Sequence, residues 1–537
     1  MIRRPAAPAT RPGTVLLVVL VVLVLLTLAA YQYSELMTAE YVAADSHRRS
    51  VQARAFAESG VHYTAALLAD PSSRPANIFD DAQAFGSFLV QENEIARFQG
   101  RFSVVAPLGS DEQGGGQGFR HGVTDEGGKI NLNALLAIDS SGRVAYDMLL
   151  KLPNMTEETA NAILDWLDPD DTPRSNGAEN NYYATLSPPY RCKNGPLDSL
   201  DELLLVRGVT PQLLWGNDRN RNGVLDPGED AGLGTLDQGW SALLTIHSRE
   251  QNIDAQGQAR VYINDQDLNG LYEKLNTAVG PDLANFIVAY RIYGSASGSS
   301  GSGSSGGSSK TGGGSSKGGG GSSRGGSSKG GSSKGGGGAS GGRLTRDMID
   351  FQRGRPRAIG SLFELINTSV SIPSSDPEQP AKSFPSPLND RGAQRQLLPK
   401  LLDMVTTVRD AELPGRVNIN TAPRDVLAAL PGLTGADVTN IVGRRPDIAS
   451  AEQADAVYQT PAWLLTEANL PPQTLRTLER YITARSQVYR VQVVGHFDGS
   501  GPTARVEAVI DTNNGRPRIL YYRDLTELGR GFNLTKQ

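Results

Sequence analysis

An internal disulfide is closed to this chain, because its 537 residues contain a single cysteine, Cys192. An oxidising compartment is allowed, but it offers no covalent staple. Histidine is scarce as well. His47, His62, His121, His247 and His496 are scattered, with no HExxH and no paired spacing, which removes the usual zinc-hydrolase patterns. Matches to a nucleophile elbow fall only in a Gly/Ser tract, where composition alone produces them. No enzyme is expected. Basic excess is lacking too: a net charge of −5 and a pI near 5.7 argue against a nucleic-acid partner held by bulk charge. Long apolar runs are absent but for one.

That run is Thr14 to Ala30, TVLLVVLVVLVLLTLAA, without a charge. At roughly 1.5 Å rise per residue it is about long enough for one hydrocarbon core of roughly 30 Å. Arg3, Arg4 and Arg11 precede it, Pro12-Gly13 marks the junction, and no Lys or Arg follows until Arg48. That asymmetry puts the N-terminus inside and the bulk outside. Three fates are open. The run could be a signal peptide, for which Leu28-Ala29-Ala30 is a poor cleavage site. It could be a permanent anchor, or it could follow a leader cut between Gly13 and Thr14.

The length predicts two or three domains. The first helix should continue to about Ala69, where Pro71 stops it, with Phe56, Gly60, Tyr63 and Leu67 forming one stripe to lay on a sheet. His47, Arg48, Arg49, Arg54 and Glu58 read as its solvated face. Phe98 to Ala106 and Phe119 to Thr124 read as strands. At the far end VYRVQVVGHF, RVEAVID and RILYYRDL alternate around DGSG and NNGR turns, a β-meander. A helix and strand at one end and a meander at the other predict one α/β module interrupted by everything between.

The interruption holds a repeat. Lys129-Ile-Asn-Leu-Asn133, Arg260-Val-Tyr-Ile-Asn264 and Arg416-Val-Asn-Ile-Asn420 each lead into a helix, a tight turn and a second helix. Such pairs cannot bury their own faces and should stack into a common core. Between the second and third copies, Gly294 to Gly342 is almost pure Gly/Ser, with Lys310, Lys317, Arg324, Lys329 and Lys334 and no acidic residue. It is expected to be disordered, a surface loop or tether with an r.m.s. span of about 40 Å. SLFELINTSVSIP should return to the fold, and Ser371 to Pro387 reads as loop.

The sharpest local motif is Asp218-Arg-Asn220-Arg-Asn222-Gly223-Val224-Leu-Asp226-Pro-Gly-Glu229. It fits the twelve-residue calcium loop. Oxygen ligands fall at positions 1, 3, 5, 9 and 12, the Val224 carbonyl falls at 7, and the glycine for the sharp turn is at 6. The alternating spacing aims these oxygens at one centre, and three carboxylates predict weak, extracellular-type affinity. The competing reading is an Asn/Asp-rich turn. A second acidic cluster runs through Asp165, Asp168, Asp170, Asp171 and Glu179. From its residues alone it is a solvated loop with caps.

The third repeat, with its N-T-A-P and L-P-G-L, is close to a helix-hairpin-helix. A rival reading is therefore a periplasmic DNA-binding protein of a DNA-uptake or type IV pilus system. Such modules hold phosphate on the backbone N–H groups of a G-x-G hairpin with a nearby Lys. Here the turn is Gly432-Leu-Thr-Gly435 followed by Asp437, and the first copy has Asn-Met-Thr-Glu-Glu. Acid stands where phosphate would lie, so no nucleic acid is expected.

A short basic leader, Gly13, an apolar helix and ARAFAESGVHYTAALL together resemble a type II secretion pseudopilin. Most such proteins carry Glu five residues after the cut; here Val18 stands there, which is typical of the minor pseudopilin K. The stretch DWLDPDDTPRSNGAENNYYATLSPPYRCKNGPLDSLDELLLV is also similar to that family. The resemblance covers Pro12 to about Arg291 and Ile359 to Tyr522, and the Gly/Ser tract departs from it. It implies an α+β fold: a transmembrane and pilin-like long helix on a small antiparallel sheet, with a large inserted helical domain of helix-hairpin-helix or SAM-like repeats. The expected division is 1–13 leader, 14–70 membrane-spanning helix, 71–125 first part of the core and 126–293 insertion with the calcium loop. The Gly/Ser tract at 294–342, the second part of the insertion at 343–484 and the meander at 485–537 complete it. The resemblance further implies calcium, including a second site among Asp165, Asp168, Asp170, Asp171 and Glu179. Its implied partners are the other minor pseudopilins, the major pseudopilin, prepilin peptidase and secreted substrates. The implied place is the inner membrane, single-pass, with the bulk in the periplasm.

Overall fold

The computed structural model describes residues 12–70, 72–75, 77–108, 118–230, 234–295, 342–374, 379–446, 456–499, 501–513 and 515–534. The expected leader up to residue 11, Pro71 and residues 296–341 of the Gly/Ser tract lie outside the described residues.

Helix α1 (Pro12–Ala69) is one continuous rod. It is long and apolar enough to cross a membrane, with a mean hydropathy of 3.0 in its best window, and none of that window is buried within the chain. Its second half is different. Ala53, Ala57, Val61, Ala65 and Leu68 are buried at intervals of three or four, with Phe56 beside them, so one face lies on a sheet. The expected stripe holds at Phe56 and Gly60, while Tyr63 and Leu67 flank it half-buried.

The sheet receiving that face is antiparallel. Its strands are β1 (Phe88–Gln91), β2 (Gly100–Pro107), β3 (Val488–Phe497), β4 (Ala504–Asp511) and β5 (Arg518–Asp524), in that spatial order. Val104 of β2 pairs with Val493 of β3, so strands far apart in sequence are neighbours. Phe102, Val104, Val491, Val493, Val506, Ala508 and Ile510 face α1. Two glycines set the close approach. A Cβ on Gly60 would lie 2.5 Å from Val493 Cγ1, and one on Gly495 would lie 2.0 Å from the Ala53 carbonyl. The predicted strand at Phe119 to Thr124 is corrected: it is two short pieces, Phe119–Arg120 on β2 and Thr124–Asp125 on β3.

Between β2 and β3 the chain builds three units on one continuous apolar core running from Ile130 to Ala484. Each opens on a two-residue strand: Ile130–Asn131, Val261–Tyr262 or Val417–Asn418. Each then contributes helices that pack as a pair: Arg143–Leu149 with Glu157–Leu167, Leu268–Val279 with Pro281–Tyr293, and Arg424–Ala429 with Gly435–Arg444. Each unit closes on a strand parallel to its opener, at Leu244–Thr245, Val405–Thr406 or Ile482–Thr483. The final Asn of each opening motif staples the middle of its unit. Asn133 exchanges two hydrogen bonds with the backbone of Leu197 (2.8 and 2.9 Å), and Asn264 does the same with Ile359 (2.8 and 2.9 Å). Asn420 donates to the Tyr458 carbonyl (2.9 Å).

The stretch expected as loop from Ser371 to Pro387 is corrected too. Lys382–Pro385 forms a hairpin with Ser369–Ile372, which buries Val370 and Phe384. In the third unit the Asp437 carboxylate accepts the Thr434 N–H (2.9 Å), while Thr434 Oγ1 accepts the Asp437 N–H. That capping box fills the helix N-terminus with the protein's own anion, where a phosphate would otherwise sit.

Candidate metal centre

The helix Glu157–Leu167 carries Asp165 on its buried face, and the chain after it doubles back over that carboxylate. Asp165 accepts the N–H groups of Arg174 (3.2 Å) and Ala178 (2.8 Å). Gly177 makes the approach possible, since a Cβ there would lie 1.9 Å from Asp165 Oδ2. The same loop brings one oxygen each from Asp168, Asp170 and Glu179 within 4.8 Å of one another. Among the described residues no other three acidic, histidine or cysteine side chains do this.

Charge is badly balanced there. Arg174 pairs with Asp168 (2.9 Å) and Asp165 (3.4 Å), and it is the one cation in these contacts. Both Glu179 oxygens and Asp168 Oδ1 are buried without a hydrogen-bond partner. Burial raises Glu179 to about 7, with Asp165 and Asp168 adding to it, and burial raises Asp165 to about 6. Cys192, beside Glu179, is pushed up to about 12, chiefly by burial. Buried carboxylate oxygens without partners fit a hard cation, which takes six to eight oxygen ligands. The other two expected ligands serve elsewhere. Asp165 holds the loop through backbone N–H groups, and Asp171 is exposed and accepts the Asn180 side chain (2.8 Å).

The Asp218–Glu229 loop is built in the expected order but is less converged. Asp218 accepts the N–H groups of Asn222 (3.1 Å) and Gly223 (2.8 Å), Asn220 accepts Asn222 N–H (3.0 Å), and Asn222 accepts Val224 N–H (2.7 Å). Gly223 turns the chain at φ 68°. Glu229 reaches back to Arg219 N–H (2.9 Å). Asp226, however, accepts the side-chain amides of Asn220 (2.6 Å) and Asn222 (2.8 Å). Val224 anchors the loop by packing its side chain on the cluster of Val105, Val494, Phe532 and Leu534. Burial raises Asp218, with Glu229 adding to it.

Sequence reasoning missed Arg505, which is 1% exposed. It donates to the Asn220 carbonyl and lies over the Phe532 ring, so the loop is tied to β4 and the C-terminal tail. The available signal was alternation: Arg505 and Glu507 sit opposite the apolar face of a strand buried on both sides. Gly13 and Thr14, the predicted processing pair, occupy the exposed first turn of α1.

Residues 128–215 match the family model described as type II secretion system protein K. That stretch of the chain is similar to this family. The matched stretch contains the Asp168–Asp170–Glu179 cluster and ends three residues before Asp218. Type II secretion system protein K of Pectobacterium carotovorum subsp. carotovorum is 40% identical over 70 residues, 12% of this chain and 21% of that protein. The Klebsiella pneumoniae protein K is 34% identical over 102 residues, 17% of this chain and 31% of its own length. A putative protein K of Escherichia coli (strain K12) is 36% identical over 58 residues, 11% of this chain and 18% of its own length. The matched segments thus span less than a third of these relatives. A solved GspK–GspI–GspJ complex from enterotoxigenic Escherichia coli covers 90% of this chain and 99% of the solved chain, at 11% identity. Its TM-score is 0.34, which carries no argument about the fold.

Proposed function

We propose that this chain is a minor pseudopilin at the tip of a type II secretion pseudopilus, assisting export of folded periplasmic proteins across the outer membrane. The observation that carries the reading is α1: one helix whose first half is apolar and exposed, and whose second half packs on an antiparallel sheet. Such a helix serves first as an inner-membrane anchor and then as the spine of a fibre, with the bulk in the periplasm. Prepilin peptidase would cut between Gly13 and Thr14, and the other minor pseudopilins and the major pseudopilin would be the neighbours. Secreted substrates would meet the exported domain.

Val18 bears on position within the fibre. A free amine at Thr14 would be a charge near the membrane core, and an unpaired charge there is costly. Val18 cannot neutralise the amine of a preceding subunit, and the three-unit insertion stands above the sheet. Both features allow subunits below and none above, so one copy caps the tip. The three units serve this reading as helix-hairpin-helix, SAM-like packing modules; the acid-capped turn at Asp437 counts against the DNA-binding alternative.

Calcium is the metal best suited to Asp168, Asp170 and Glu179, and the Asp218, Asn220, Asn222, Val224, Asp226 and Glu229 loop is a weaker second site. The ion would replace the missing partners of the buried oxygens and fix the loop over Asp165. Deleting the gene should abolish export while leaving the substrates folded in the periplasm. Crosslinking from the Thr14–Val18 end should recover other pseudopilins. Recovery of contacts between two copies of this chain along the fibre would contradict the tip assignment.

A further inference from the structure

On β3 and β4 the face of the sheet turned away from α1 is covered, with Gln492, Val494, His496, Arg505 and Val509 buried. The three-unit insertion roofs it, and a cavity of about 530 Å³ remains between the two. That volume lies in the range of small-ligand sites, roughly 300–1,000 Å³. Its floor comes from β3, β4 and β5 through Gln492, Glu507, Tyr521 and Arg523, and its roof includes Leu213, Trp215 and Trp240.

Most charges at its wall are satisfied. Arg490 holds Glu507 (2.7 Å), and Arg523 holds Asp201 (2.5 Å). Arg221 differs. It lines the cavity, its guanidinium carbon lies 3.8 Å above the Trp215 ring, and it makes no ion pair or side-chain hydrogen bond with any described residue. Its backbone is fixed at φ 57°, and its carbonyl accepts Gln492 Nε2 (2.9 Å), so the side chain is delivered to one place. Asp201 and Glu507 lie near enough to act on it, but each already holds another arginine. A guanidinium backed by Trp215 and without an ion pair, in a cavity that also offers Leu213 and Trp240, can receive a carboxylate with a greasy flank.

We propose that this cavity binds an apolar carboxylic acid, with Arg221 holding the carboxylate and Leu213, Trp215, Trp240 and Tyr521 holding the apolar body. The acid could be free or the C-terminus of a peptide, and the test separates these sources. The inference does not depend on the secretion role.

The full chain in detergent would be titrated with 4-phenylbutyrate and with acetyl-Ala-Ala-Phe, each against its own C-terminal amide. The readout is tryptophan fluorescence, to which Trp215 and Trp240 contribute. The acids should give saturable changes and bind at least about tenfold tighter than the amides, the size expected of one charged hydrogen bond. A tighter peptide assigns a chain terminus, and equal or tighter phenylbutyrate assigns a free acid. Arg221→Met should erase the preference for acid over amide, and Arg221→Lys should restore part of it. Leu213→Trp, which adds bulk to the apolar side of the cavity and keeps the cation, should abolish both. Absence of saturable binding, equal binding of acids and amides, or unchanged binding in Leu213→Trp would each overturn the proposal.

Discussion

Glu179 is 1% exposed and has no partner for either oxygen, so in metal-free protein it holds a proton up to about pH 7. Its ordinary value is 4.5, so the folded state keeps a proton that the unfolded state releases. The stability this contributes is present below the unfolded value and is lost as pH rises through about 7. Metal-free protein should therefore become less stable from mildly acidic to neutral pH. Calcium must displace that proton, so its stabilising effect should grow over the same window. Binding only to the folded state adds about 2.7 kcal/mol at a hundredfold excess over Kd. Melting with calcium and with chelator, at acidic and neutral pH, checks both trends. Glu179→Gln should lose most of the calcium response and flatten its pH dependence. Asp218→Ala with Glu229→Ala should lose a smaller part. The opposite ranking would move the main site to the Asp218–Glu229 loop.

At the scale of elements, the repeat shows what sequence can and cannot carry. The openers ending in Asn133, Asn264 and Asn420 were legible because a short extended piece before a periodic apolar helix is a local signal. The closers at Leu244, Val405 and Ile482 were not, since two residues leave no alternation to read and their partners lie 65 or more positions away. The acidic cluster was legible as composition only. Which of its carboxylates converge depends on Gly177 bringing the chain onto Asp165, a tertiary event. The meander and the second half of α1 were plain because both periods, two and 3.6, run for many residues. The Asn staples give a test. Asn264→Ala leaves the Ile359 N–H and carbonyl without their partner, and a buried unsatisfied group costs about 1–3 kcal/mol. Chemical denaturation should show that loss, whereas exposed Asn269→Ala in the helix Leu268–Val279 should not destabilise the fold.

At the scale of the whole molecule, one buried cluster joins insertion to sheet. Arg490 of β3 pairs with Glu126 (2.6 Å) and Glu507 (2.7 Å), and Lys129 also reaches Glu126 (3.3 Å). Arg490 and Lys129 hold the Glu126 carboxyl far below the usual range despite its complete burial. That contribution is present above the unfolded value and is lost as pH falls. Arg490→Met leaves a buried charge short of its main partner, a loss of about 3–5 kcal/mol. Protease should then release the insertion from the sheet, a change visible by limited digestion.

The insertion, the acidic cluster and the cavity would all be carried outward on α1, so the central claim rests on how that helix begins. N-terminal sequencing of the mature protein, made in cells with an active prepilin peptidase, tests it directly. The account predicts a chain starting at Thr14, and an unprocessed Met1 when the peptidase is absent. A start at Tyr31, or an intact Met1 in its presence, would contradict it.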